Sequence, residues 1–204
     1  MRPIAYQKLT VFGLLALSTV GLLSQEPAPP ASLNRSFKVQ GFSFRYPDDW
    51  QSEMLAMAVM FAPKGGVRAT TSGAPDLVCG FLVEIYTRSK SMWSVNPILQ
   101  SKWIPRKKFV FRDAIKNIQK AELKLNPGIQ YTNGTEREFK IGSKQALQVE
   151  WENENGRFGP EKGLMVFVEH DAGIVRWALV APKNEFKQYR PVFNQIISSI
   201  APEG

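Results

Sequence analysis

The sequence predicts an α+β domain of mainly antiparallel sheet closed by helices, and three observations carry that prediction. Phe42, Phe44 and Tyr46 alternate with Ser43 and Arg45, a period of two that puts three aromatics on one strand face. Gly163–Glu169 and Ile174–Ala181 are apolar runs joined by His170-Asp171-Ala172-Gly173, which is the layout of a hairpin. Phe111, Ile115, Ile118, Ala121 and Leu125 recur at helical spacing along one basic segment.

The chain has 204 residues, enough for one domain with length to spare. A core of ~170 residues buries roughly 70% of its unfolded surface and needs no covalent staple. Cys79 is the single cysteine, so no intrachain disulfide forms and no disulfide-linked partner is expected. The net charge is +8. Arg2 and Lys8 supply part of it, and Ser101–Leu125 supplies the rest, with eight basic residues against Asp113 and Glu122. The basicity is local, which says more about a partner than the overall charge does.

Met1–Lys8 is short and basic, and Leu9–Leu23 is an uncharged apolar run. Fifteen such residues are short for a spanning helix, which needs ~20. The layout is that of a secretory signal over residues 1–24, with an uncleaved N-terminal anchor as the alternative. No cysteine follows Leu23, which excludes a lipoprotein signal. Residues 25–35 carry Pro27, Pro29 and Pro30 and read as an extended linker. The folded domain is then expected over residues 36–204, in a protein that is periplasmic, secreted or anchored in a membrane.

Phe37–Gln40 and Phe42–Tyr46 read as two strands about Gly41. Pro47 cannot donate to a ladder and ends the second, Asp48-Asp49 turn the chain, and Trp50 folds back over the three aromatics. Met54–Ala62 reads as one central strand in preference to a helix, whose spacing Met54, Met57, Ala58 and Phe61 also fit; Lys64–Pro75 reads as a loop and Asp76–Thr87 as a strong strand. Asn96–Trp103 is expected to hold a helical turn, and Arg106–Leu125 a helix ended by Asn126-Pro127-Gly128. Ile129–Ile141 and Gln145–Glu152 flank a turn at Gly142-Ser143, with a second turn or a bulge at Asn133-Gly134. Phe186, Tyr189, Phe193, Ile196, Ile197 and Ile200 line a last helix, in which Pro191 is expected to open a second segment.

These landmarks resemble a known family. Phe42–Trp50 is similar to the opening of the PsbP-like domains. Leu179-Val180-Ala181-Pro182, then Phe186, Tyr189-Arg190-Pro191-Val192-Phe193 and Ile196–Ile200, resemble that family's last strand and closing helix. The likeness spans roughly Phe37–Pro202. It implies an α/β/α sandwich, a central antiparallel sheet with helices on both sides. The family's members are accessory or binding proteins: photosystem II extrinsic subunits, a Ran-GTPase binding factor and exported bacterial domains. It has no shared catalytic motif to carry over.

The residues themselves offer few reactive constellations. Glu150, Glu152 and Glu154 alternate and could hold a calcium ion, but no Asp-rich loop of fixed spacing accompanies them, so a solvated strand face is the better reading. His170-Asp171 reads as a turn, because neighbours on a strand end point apart and no G-x-S-x-G elbow occurs. Cys79 sits among apolar residues and reads as a buried, inert thiol. Met54, Met57 and Met60 read as core filler rather than copper ligands. No nucleophile–base pair, metal set or cofactor motif stands out, which points away from an enzyme. Lys108, Arg112, Lys116, Lys120 and Lys124 recur every fourth residue and form one basic row. The row is either a solvated face or a docking surface for a protein complex or an anionic membrane; nucleic acid is not expected of an exported protein. The competing class is a hydrolase or small-ligand-binding protein with a site between sheet and helices.

Overall fold

The computed structural model describes residues 32–55, 58–87 and 110–203. In order these form β1 (Arg35–Val39), β2 (Phe42–Tyr46), β3 (Gln51–Leu55), β4 (Ala58–Ala62), β5 (Val67–Ala69), β6 (Pro75–Leu77), β7 (Gly80–Thr87), α1 (Phe111–Leu125), β8 (Ile129–Tyr131), β9 (Arg137–Ile141), β10 (Lys144–Asn153), β11 (Glu161–His170), β12 (Gly173–Pro182), α2 (Phe186–Ser198) and β13 (Ala201–Pro202). The expected leader, most of the linker and the turn at Asn96–Trp103 lie outside the described residues.

The main sheet runs β3-β4-β7-β12-β11-β10-β8, with β9 also beside β10. All the described pairings are antiparallel. This is an α+β fold. β10, β11 and β12 form its long centre, and apolar residues of both parities on them are buried, so both faces of the sheet are covered. One apolar cluster joins Phe81, Val166 and Trp177 to α2 and to β2. The other joins Met165, Phe167 and Ile174 to Phe111, Ile115 and Ile118 of α1.

The aromatic opening folds as its pattern demands. Phe42, Phe44 and Tyr46 are buried, and the turn after Pro47 is closed by a hydrogen bond from the Trp50 N–H to the Pro47 carbonyl at 3.2 Å. Trp50 is buried in the same cluster, but its ring meets Phe81 at 5.9 Å and Phe193 at 6.4 Å instead of lying over the three aromatics as expected, because β7 and α2 bring those rings to it. Gln40 and Gly41 both have positive φ, the backbone of the tight turn that suits a twisted hairpin.

Several expectations are corrected. Met54–Ala62 is a hairpin rather than one strand, with Met54 opposite Val59. The polar Gln51-Ser52-Glu53 belongs to the edge strand β3, where water reaches both faces and no apolar pattern is required. The loop after Lys64 contains β5 and β6, and the strong strand begins at Gly80 rather than Asp76. α1 begins at Phe111, with Val110 before it extended, and the expected stretch 106–109 lies outside the described residues. Ile129–Ile141 is two short strands, both on β10, with Tyr131 opposite Trp151 and Arg137 opposite Gln148. Residues 132–136 join them through a turn at Asn133-Gly134, as the first of the two expectations for that pair had it, with the Thr135 N–H donating to the Thr132 carbonyl at 3.3 Å. Pro191 lies inside a single helix. Both it and Lys187, whose carbonyl the proline leaves without a helical donor, are exposed, so water can take over the missing bond. Finally, β13 adds to β2, giving a three-stranded sheet β1-β2-β13 on the α2 side that no local pattern announced.

Candidate functional site

α1 carries the basic row because its two stripes have opposite solvents. Phe111, Ala114, Ile115 and Ile118 are buried against the sheet, while Lys116, Lys120 and Lys124 are exposed on successive turns. The apolar stripe fades toward the C-terminus, where Leu125 is 60% exposed. Arg112 leaves the row. Its Nε donates to Glu138 Oε1 at 2.6 Å and its Nη1 lies 3.7 Å from Glu136, and the bond to Glu138 raises the guanidinium above its ordinary pKa. Lys108 lies outside the described residues. Among the described residues no carboxylate pairs with Lys116, Lys120 or Lys124.

Beneath α1 the structure assembles a buried ionic centre that the linear reading missed. Arg176 and Glu84 face each other across β12 and β7, and both are buried. Arg176 Nη2 donates to Glu84 and its Nη1 meets Glu122 of α1. The Tyr131 hydroxyl donates to Glu122 at 2.5 Å, and the Arg176 guanidinium stands 5.4 Å from the Tyr86 ring centre. Burial pushes the Tyr86 and Tyr131 hydroxyls well above their ordinary range. Burial alone would lower Arg176, but the Glu84 charge and its hydrogen bond hold the guanidinium above its usual value. A cleft of about 390 Å3 opens beside this centre, lined by Glu122, Asn126, Trp151, Met165 and Arg176 among others. Behind Trp151, which lines it, Gly163 has no room for a side chain: a Cβ there would collide with the Leu179 carbonyl and stand 2.7 Å from Trp151 Nε1. The available signal was a single charge interrupting each of two apolar runs, Leu82-Val83-Glu84-Ile85 and Ile174-Val175-Arg176-Trp177.

The other candidates disperse. Glu150 is buried and accepts from Arg190 Nη2 at 2.5 Å, with Lys162 at 3.4 Å. Glu152 and Glu154 instead share Lys183, and Glu154 lies beyond the end of β10 rather than on its face. The three carboxylates therefore serve two separate cation sets and do not converge. His170 ends β11, its Nδ1 accepting from the Ala172 N–H at 3.0 Å, while Asp171 pairs with Lys144 at 2.5 Å. Cys79 is buried in the bend before β7 rather than in a strand; burial pushes its thiol up to about 12, against a hydrogen bond with Tyr189 that lowers it. Met60 is buried but Met54 is 76% exposed on the edge strand, and Met57 lies outside the described residues.

No protein-family model and no curated protein matches the chain. Among solved structures, the cyanobacterial PsbP protein CyanoP of Synechocystis sp. PCC 6803 aligns with a TM-score of 0.56 at 14% identity, over 89% of this chain and 98% of that one. LpqN of Mycobacterium tuberculosis, involved in cell envelope biogenesis, aligns with a TM-score of 0.45 at 14% identity, over 87% of each chain. The likeness to CyanoP is one of fold: the chain has a PsbP-like fold.

Proposed function

We propose that this PsbP-like domain is an exported, non-enzymatic accessory protein that docks through the outer face of α1 on an anionic surface, either acidic lipid head groups or the acidic face of a protein complex. One observation carries the reading: Lys116, Lys120 and Lys124 stand exposed on successive turns of a helix whose opposite face is buried. Like charges at that spacing repel by a few tenths of a kcal/mol per pair, so the row does nothing for the helix itself. Export is supported by the basic start and the apolar run before Ser24. The absence of a reaction is supported by the dispersal of Glu150, Glu152, His170 and Cys79 into ion pairs, a turn and a buried thiol.

Each basic residue near an acidic leaflet contributes ~1 kcal/mol, so three give a weak, reversible attachment. Such binding must fade with salt, because the Debye length falls from ~10 Å at 0.1 M to ~3 Å at 1 M. The test is co-sedimentation of the protein, in the form in which it accumulates in its own cell, with acidic and neutral vesicles at both salt levels. A variant with Lys116, Lys120 and Lys124 changed to Gln runs beside it. Binding to acidic vesicles at low salt, lost in the variant, is the expected result. Equal binding by the variant, or binding indifferent to salt, would reduce the row to a solvated face.

A further inference from the structure

On the opposite side of the sheet, a cleft of about 730 Å3 lies between α2 and the β9–β10 hairpin. Its two ends differ chemically, and the register explains why. Arg137 stands opposite Gln148 at one end of the hairpin, and Ile141 opposite Lys144 at the other. Arg137, Phe139 and Ile141 share one face of β9 by their period of two. α2 runs alongside, so Arg190 and Asn194 meet the polar end while Ile197 and the following Ile200 meet the apolar end.

The polar end is built before any ligand arrives. Arg190 is tied to the buried Glu150 at 2.5 Å, which holds its guanidinium over the cleft. Thr135 secures the wall, its Oγ1 accepting from the Glu150 N–H at 3.1 Å and donating to the Thr132 carbonyl at 2.7 Å. Three cations, Arg137, Lys140 and Arg190, line the cleft against one carboxylate, Glu150. That carboxylate is already shared between Arg190 and Lys162. The lining therefore keeps an excess of positive charge. Gln148 and Asn194 add neutral donors beside it. Pockets for small ligands are commonly 300–1,000 Å3, with an apolar lining and a few polar groups that fix orientation.

We infer that this cleft binds a small organic anion: a carboxylate or phosphate head held by Arg137 and Arg190, and a short apolar body lying toward Phe139, Ile141 and Ile197. The site is separate from the α1 face and independent of the docking reading. Calorimetric titration of the full-length chain with octanoate, octylammonium and acetate tests it. Octanoate presents head and body together, octylammonium reverses the charge, and acetate removes the body. Octanoate should saturate one site, with both comparison ligands at least tenfold weaker. Arg137→Gln with Arg190→Gln should weaken octanoate at least tenfold; Lys162 still faces Glu150 in that variant, and thermal melting checks that it folds. Asn194→Trp, at an exposed helix position, keeps every charge but fills the cleft, and should abolish binding. Loss of the octanoate site in both variants, with melting preserved, supports the inference. No saturable octanoate binding, equal binding of octylammonium, or octanoate affinity unchanged in either variant would overturn it. Comparing octanoate with hexyl phosphate then separates a carboxylate from a phosphate head.

Discussion

The two faces of one sheet are filled on different principles. On the α2 side the core is nearly all aromatic and aliphatic: Phe61 and Phe81 stack at 4.6 Å, Phe44 meets both edge-on, and Trp50 and Phe193 close the layer. On the α1 side the apolar cluster of Phe111, Ile115, Ile118, Met165 and Phe167 also encloses the buried Arg176 and Glu84, with the half-buried Glu122 and two tyrosines beside them. Apolar packing is non-directional and tolerates small shifts, whereas buried ions hold only while each keeps its partners. The α2 face is thus held by contact area, whereas the α1 face adds one ionic tie, Arg176 to Glu122, to the apolar packing of Phe111, Ile115 and Ile118.

Two truncations should cost about the same for opposite reasons. Trp50→Ala should lose ~3–5 kcal/mol through the cavity left in the aromatic layer. Arg176→Met should lose ~3–5 kcal/mol although it fills most of the space, because it removes the cation from the buried Glu84 and leaves Glu122 only its Tyr131 donor. The faces part company in a rescue experiment. Adding Glu84→Leu and Glu122→Leu to Arg176→Met should recover most of the loss, since a well-packed apolar replacement of an ion cluster is often neutral or better. Urea melts of the four proteins decide it. A triple variant no more stable than Arg176→Met would mean that the ionic centre is worth more than apolar packing.

Alkaline pH sets a smaller test. Burial raises the Cys79 thiol to about 12, and chiefly burial brings Tyr189 to about 12 as well. The ordinary values are about 8.5 and about 10. The folded state therefore keeps protons that the unfolded chain releases. The stabilisation is complete below about pH 8.5 and is lost as pH rises through about 12. Cys79→Ala should flatten the first part of that decline, between about pH 8.5 and 10, in melts recorded against pH. An unchanged profile would show that the thiol does not contribute.

The smallest effect belongs to the α1 row. Lys116, Lys120 and Lys124 changed together to Gln should move stability by less than ~0.5 kcal/mol, as exposed positions do. A larger loss in the same melts would make the row structural and weaken the docking reading.

What the sequence determined by itself was local: which residues share a face, and where elements stop. The period of two in Phe42–Tyr46, the stop at Pro47, the β11–β12 hairpin, the apolar stripe from Phe111 to Ile118 and the row of lysines at every fourth position all fold as their spacing requires. Spacing cannot name a partner across the sheet. Arg176 and Glu84 lie 92 residues apart, and nothing in either run names the other until β12 and β7 meet in register. Glu150 read as one of three carboxylates on a solvated face until α2 brought Arg190 to it, 40 residues on. Arg112 read as part of the row until β9 offered Glu138. The edge strand β3 and the addition of β13 to β2 belong to the same class. Side-chain period is set by the backbone geometry of a few residues, but charge pairing and strand order are set by which distant segments the two cores bring together, and only the folded chain specifies that.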